Sequence, residues 1–262
     1  MTRSLNTAGT GMVAQQYNLD VISNNLANVN TTSYKQQRAE FQDLMYQTFK
    51  ASGVSTGTNT TNPVSVQVGL GAAFSANANN FAQGPLQATG NPLDIAINGD
   101  GFFQIQRPDG TQAYTRDGSF KRDANGLMVT SDGYPLIPEI TIPAGATAID
   151  VSSNGTVSAV IPGSSDPVQL GQIQIATFSN PSGLNRMGQN LFTPGGASGE
   201  ATIITPGESG SGELKSSFLE GSNVQVVEEM VRMIMAQRAY EINSKAIQTA
   251  DDMLGQLNQL KR

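Results

Sequence analysis

Apolar residues repeat every seven positions at the start of the chain. Leu5, Met12, Leu19 and Leu26 mark one line, and Ala8, Gln15, Ile22 and Val29 mark its companion. This a/d arrangement over about four heptads, interrupted at Gln15, predicts a helix of the coiled-coil type. Asn28-Val29-Asn30-Thr31-Thr32-Ser33 follows, and such side chains compete for backbone hydrogen bonds and end helices. A second long helix is predicted at the other end. Ser222 with Gln225 fits a capping box, and Glu228 and Glu229 stand near the positive end of the helix dipole. The apolar stripe then runs Val227, Val231, Met235, Ala239, Ile242, Ala246, Met253, Leu257 and Leu260 with a spacing near the helical period. At 1.5 Å per residue, about 38 residues would span roughly 57 Å. Val224, Met230, Met233, Ile234, Ile247 and Leu254 lie off that stripe, and a second apolar face requires a second partner.

Between the helices the pattern turns β-like. Residues 51–93 carry no charge, and Val64, Val66 and Val68 alternate with polar residues, so one strand is expected there within an extended loop. Residues 94–137 read as a meander of short antiparallel strands. Its turn signals are Asp100-Gly101, Asp109-Gly110, Asp117-Gly118, Asn125-Gly126 and Asp132-Gly133. Further β-like pieces fill residues 138–220, and the Gly/Ser-rich segment 193–212 reads as a loop or connecting arm.

Composition removes most catalytic classes. The 262 residues include no Cys, His or Trp. That excludes disulfides, thiolate nucleophiles, Cys-based zinc sites, the Ser-His-Asp triad and the usual haem ligands. The formal net charge of −6 argues against nucleic-acid binding. No apolar run approaches the 20 or so residues needed to span a bilayer, and residues 1–20 lack the continuous apolar core of a cleaved signal peptide.

The remaining motifs favour structure over chemistry. Gly9-Thr10-Gly11-Met12-Val13-Ala14 has the letters of a dinucleotide fingerprint, but no strand precedes it. Its small residues suit close helix packing instead. The Asp-Gly pairs recur once per turn, not at the alternating spacing of a calcium loop. Glu228/Glu229 and Asp251/Asp252 are helix neighbours about 100° apart, unsuited to sharing a proton or a metal ion. No cofactor or metal is expected. Two readings of the terminal helices stay open on physical grounds: packing on the β region of their own chain, or burial between subunits. A carboxylate-dependent wall hydrolase would need two carboxylates about 5–10 Å apart in a cleft. An adhesin would need an exposed aromatic groove, and aromatics are 6% of the chain.

Longer motifs carry a resemblance. Asp20-Val21-Ile22-Ser23-Asn24-Asn25-Leu26-Ala27-Asn28-Val29-Asn30-Thr31-Thr32-Ser33-Tyr34-Lys35 resembles the N-terminal signature of the bacterial flagellar rod and hook proteins, with Ser33 where that family usually has Gly. Gln237-Arg238-Ala239-Tyr240-Glu241-Ile242-Asn243-Ser244-Lys245 resembles its C-terminal signature. Asn98-Gly99-Asp100-Gly101-Phe102-Phe103 and Tyr114-Thr115-Arg116-Asp117-Gly118-Ser119-Phe120 match its centre. Arg3-Ser4-Leu5 and Ala39-Glu40-Phe41-Gln42-Asp43-Leu44 are most similar to the distal-rod branch; hook and proximal rod subunits are the alternatives.

The resemblance implies an α+β subunit with its long terminal helices paired as an inner coiled-coil domain (1–35 plus 222–262). A connecting region (36–69 plus 195–221) and a mostly antiparallel β outer domain (70–194) complete it. It implies a homo-oligomeric helical tube that crosses the periplasm, transmits torque to the hook and provides the axial export channel. The expected partners are the hook protein, the proximal rod proteins, the surrounding P and L ring proteins and the flagellar type III export apparatus, with neither nucleic acid nor membrane insertion. The stretch 46–67 lies where rod and hook proteins differ. Expected assembly positions are Leu5, Met12, Leu19, Ile22 and Leu26 on the first helix, and Val231, Met235, Ala239, Ile242, Ala246, Met253 and Leu257 on the second. Asn24, Asn25 and Asn28 are expected to fix register between neighbours or simply to end the helix.

Overall fold

The computed structural model describes residues 2–52, 55–57, 60–61, 64–162, 166–208 and 210–260. Its fold is α+β, with a helix at each end and a mostly antiparallel body between them. Contacts divide the chain into two units. One comprises Met1–Ala27, Gln37–Asn79 and Gln225–Arg262, and the other Asn28–Gln36 and Asn80–Val224.

The first unit holds α1, Thr2–Ala27, and α2, Val226–Leu260. The helices lie antiparallel. Asn25 meets Glu229 near one end, and Asn243 packs against Gly11 further along, where an added Cβ would come within 3.0 Å of the Asn243 amide. The interval from Gly11 to Asn25 equals that from Glu229 to Asn243, so the axes stay in step over roughly 21 Å. The seam is made of small and medium residues, with Ala8, Ala14, Val21, Ile22, Ala236 and Ala250 all buried.

The same unit carries the strand Gln37–Asp43 paired antiparallel with Ala72–Asn79, with a bulge between Glu40 and Phe41. Tyr17 of α1 stacks on Phe74 of that pair at 4.9 Å. A two-stranded ribbon, Tyr46–Lys50 with Val66–Gly69, extends the segment. The Tyr46 ring lies over Gly69, whose missing side chain leaves room for it. The Arg3 guanidinium sits 4.4 Å above the Phe49 ring.

The second unit is built on a seven-stranded sheet. Its order is Asn185–Gly188, Leu191–Thr193, Gln112–Thr115, Phe102–Gln106, Ile175–Thr177, Thr202–Ile204, and Leu136–Ile137 also pairs with Phe102–Gln106. Pleat alternation sends the two phenylalanines of the central strand to opposite faces. Phe103 joins Ile95, Ile97, Phe120, Leu136 and Ile175 in one core, and Phe102 joins Tyr114, Phe178 and Phe192 in another. Edge-to-face aromatic pairs stiffen both, at 5.1 Å for Phe103–Phe120 and 4.9 Å for Tyr114–Phe178. Such pairs contribute about 0.5–1.5 kcal/mol each beyond area burial.

Four of the expected turns have their glycine at positive φ, +145° at Gly101, +78° at Gly110, +83° at Gly126 and +86° at Gly133. Gly118 is needed for another reason: a Cβ there would lie 1.6 Å from the Ile95 carbonyl oxygen.

Three local expectations are corrected. Ser222 and Gln225 do not form a capping box. α2 begins at Val226, the Ser222 hydroxyl accepts a bond from the Val224 N–H, and the Gln225 carbonyl accepts the Glu229 N–H. Residues 193–212 are not simply an arm, because Thr202–Ile204 closes the edge of the large sheet. Residues 36–69 do not form one connecting region with 195–221. From Gln37 onward they group with the helices, whereas Glu213–Ser216 and Phe218–Glu220 pair with Ile95–Asn98 and Leu86–Ala88 of the β unit. In the last two cases a partner distant in sequence decides the structure, and local pattern carries no record of it.

Candidate assembly surface and buried polar joints

α2 turns its small seam toward α1 and leaves its bulky apolar stripe in water. Val227, Met235 and Ile242 are 75%, 67% and 66% exposed, and Met230, Val231, Ile234 and Met253 are also exposed. Large apolar groups concentrated on one helix this way mark an interaction surface more than a solvated face. Of the positions expected at an interface, Leu5, Met12, Leu19, Leu26, Asn28 and Ala239 are half-buried. Asn24 and Ala246 are exposed, and Ile22 and Asn25 are buried. The Leu257 side chain lies outside the described residues.

Asn25 is used inside the chain. Its Nδ2 donates to the Gln37 carbonyl at 2.8 Å and to Glu229 Oε2 at 3.1 Å, while its Oδ1 accepts the Gln37 N–H at 2.9 Å. One amide thus joins both helices and the first strand. Glu229 is fully buried, and its other oxygen accepts from Arg232 Nη1 at 3.1 Å. Arg232 in turn reaches Glu228 at 2.6 Å. A groove of about 410 Å³ opens beside this cluster, lined by residues that include Asn18, Arg38, Arg232 and Met235. As a sequence feature Glu229 reads as a carboxylate near the helix dipole, beside Glu228, and not as a buried group. The signal for its burial is its seven-residue spacing to Ala236, Asn243 and Ala250.

A second polar joint lies within the β unit. Lys35 Nζ donates to Glu220 Oε1 at 2.6 Å and to the Ala82 carbonyl at 2.9 Å, and the Gly84 N–H also donates to Glu220 Oε1. Arg116 Nε stands 3.1 Å from Glu220 Oε2. The Lys35 and Glu220 side chains are fully buried. Burial, together with the Arg116 cation, lowers the Lys35 pKa to about 8 against the opposing pull of Glu220. Ser33, in the left-handed region at φ +54°, donates its N–H to the Glu220 carbonyl and its hydroxyl to the Arg116 carbonyl, both at 2.8 Å. Sequence reading missed this joint because its three charged members are far apart in the chain.

Among the described residues no group of three or more acidic side chains is placed to hold a metal ion. No helix is long and apolar enough to cross a membrane.

Three family profiles match in chain order. "Flagella basal body rod protein" covers residues 5–35, "Flagellar hook protein FlgE/F/G D1 domain" covers 96–159, and "Flagellar basal body rod FlgEFG protein C-terminal" covers 215–260. The flagellar basal-body rod protein FlgG of Borreliella burgdorferi is 53% identical over the whole of both chains. That of Agrobacterium fabrum is 50% identical over 96% of each, and that of Bacillus subtilis 42% over the whole of both. With helices, β body and both signature segments in place, the chain belongs to the FlgG family of flagellar basal-body rod proteins, structural subunits of the rod.

Proposed function

We propose that this subunit builds the distal rod, a hollow helical shaft that crosses the periplasm, carries motor torque to the hook and surrounds the export channel. The observation that carries the reading is the α2 stripe, whose large apolar side chains stay 47–75% exposed among the described residues. Burying one such side chain is worth about 1.5–3 kcal/mol, so several of them per contact supply a strong drive to associate. The helical unit then forms the inner, assembling part and the β unit the outer part. The interface comprises Leu5, Met12, Leu19 and Leu26 with Val231, Met235, Ala239, Ile242, Ala246, Met253 and Leu257, Asn24 and Asn28 border it, and Ile22, buried in the seam of its own chain, lies behind it. The subunit performs no catalysis. It leaves the cytoplasm through the type III export apparatus and meets proximal rod proteins, the hook protein and the P and L rings.

The test is Met235→Asp combined with Ile242→Asp in the full chain, produced in a flagellated host lacking its own rod subunit. Isolated basal bodies should end short of the distal rod and swimming should be lost, while the purified variant keeps its far-UV circular dichroism. Gln237→Asp, also on an exposed position of α2, should assemble normally. Full-length rods from the double variant would sink the assignment.

A further inference from the structure

Along one line of α2, polar and small residues alternate by heptad as Glu229, Ala236, Asn243, Ala250, of which Asn243 is half-buried and the others buried. The apolar members of that line on α2 are alanine alone, and alanine offers little shaped knob to hold Val21 and Ile22 of α1 to one heptad over the next. The polar members do resist such a slide. Shifting α2 by seven residues would put Ala236 where Glu229 now meets Asn25. Asn25 would lose the acceptor for one amide hydrogen, and the Glu229 carboxylate would lose a donor. Asn25 itself cannot follow, because both polar ends of its amide are also engaged with the Gln37 backbone.

We propose that Asn25 and Glu229 form a polar pin that selects the single alignment of α1 on α2, while the apolar seam supplies adhesion without choosing a register. Both are positioning residues: they fix which side chains of the α2 stripe stand beside which residues of α1. Buried polar pairs are known to trade stability for register in helix pairs.

The absence of native cysteine makes a clean experiment possible. Two cysteine pairs are introduced separately into the full chain: Gly11→Cys with Asn243→Cys for the native register, and Gly11→Cys with Ala250→Cys for one heptad of slip. A heptad is about 10.5 Å along the helix, beyond the roughly 7 Å Cα separation that a disulfide bridges. Mild oxidation of the verified monomer should close the first pair and leave the second at background.

In an Asn25→Leu, Glu229→Leu background the helical signal should persist, and the slipped pair should close about tenfold more than before, the factor expected from losing one hydrogen bond to a charged group. A folded double variant whose slipped pair stays at background overturns the proposal, as does a native-register pair that fails to close in the otherwise unaltered chain. Should the double variant lose its helical signal, Asn25→Ala decides the matter, because it keeps the Glu229–Arg232 pair. Slipped closure must rise there too, and background closure overturns the pin. A merely structural role would lower stability without opening the slipped pair.

Discussion

Lys35 is charged at neutral pH, yet burial and the Arg116 cation disfavour that charge. Its pKa is about 8 in the folded chain against 10.5 for the free group, so between those values the unfolded chain binds more protons. Stability from this group therefore rises with pH across that window and is flat below it. Urea titrations at pH 7 and pH 10 should show the rise, and Lys35→Met should remove it. At pH 7 that variant should also lose stability, by about 3 kcal/mol, because it takes one partner from a buried carboxylate. Ser33 gives a second residue-scale test. Its positive φ is tolerated beside two buried hydrogen bonds. Ser33→Gly should fall within about 1 kcal/mol of the native chain, trading a hydrogen bond for relief of strain. Ser33→Val should lose about 2 kcal/mol or more, since a β-branched residue resists this conformation and cannot replace the hydroxyl bond. Denaturation midpoints of the three chains would rank them.

At the scale of the elements, α2 separates adhesion from exposure on neighbouring residues. Ala236 is buried against α1 and Met235 stands in water. Ala236→Leu should overpack the seam and cost about 1–3 kcal/mol, whereas Met235→Leu should stay within about 0.5 kcal/mol in the monomer. Thermal unfolding of the two single variants measures the contrast. The sequence made both helices legible because a heptad repeat and its polar terminator are local signals. The tight turns were legible for the same reason, since Asp-Gly and Asn-Gly state their backbone demand in two letters. What lay hidden was partnership. The α2 stripe is visible as a period, but which face meets α1 depends on the small residues opposite. Nothing near Ile203 shows that Thr202–Ile204 pairs with Ile175–Thr177. Asn25 was singled out as an amide able to set register, and its link to Gln37 and Glu229 became visible only when the strand and the second helix were brought beside it.

Over the whole molecule, charge is unevenly shared. The helical unit carries eight basic and eight acidic residues, so the net −6 of the chain resides in the β unit, with seven basic and thirteen acidic. Lys35 and Arg116 are buried, as are Asp94 and Glu220, so the surface of the β unit keeps the whole of that excess. Copies brought together by neutral helices must hold like-charged β units near one another. Association of the purified chain should therefore strengthen between about 0.02 and 0.3 M salt, as the screening length shortens from roughly 20 to 6 Å. Glu139→Lys with Glu200→Lys, both at exposed positions, should lower the salt required. Sedimentation velocity across that range tests both statements.

The Lys35–Glu220 joint also has a mechanical meaning. The chain first visits the β unit in residues 28–36, returns to the helical unit for 37–79, re-enters at Asn80 and ends its course there with residues 220–224, and the first of these segments meets the last. Those two segments are tied directly to each other: Ser33 to Glu220, Gln36 to the Asn223 side chain, Asn223 to Tyr34, and the ion pair beneath. A pull that separates residues 28–36 from residues 220–224 therefore meets this closed neck before it reaches any strand of the large sheet. The hydrogen bonds of the neck and its ion pair take the load first, and the sheet beyond stays out of the force path until they yield. In a part that turns under load, such a neck lets the helical unit be driven hard without unravelling the β unit it carries.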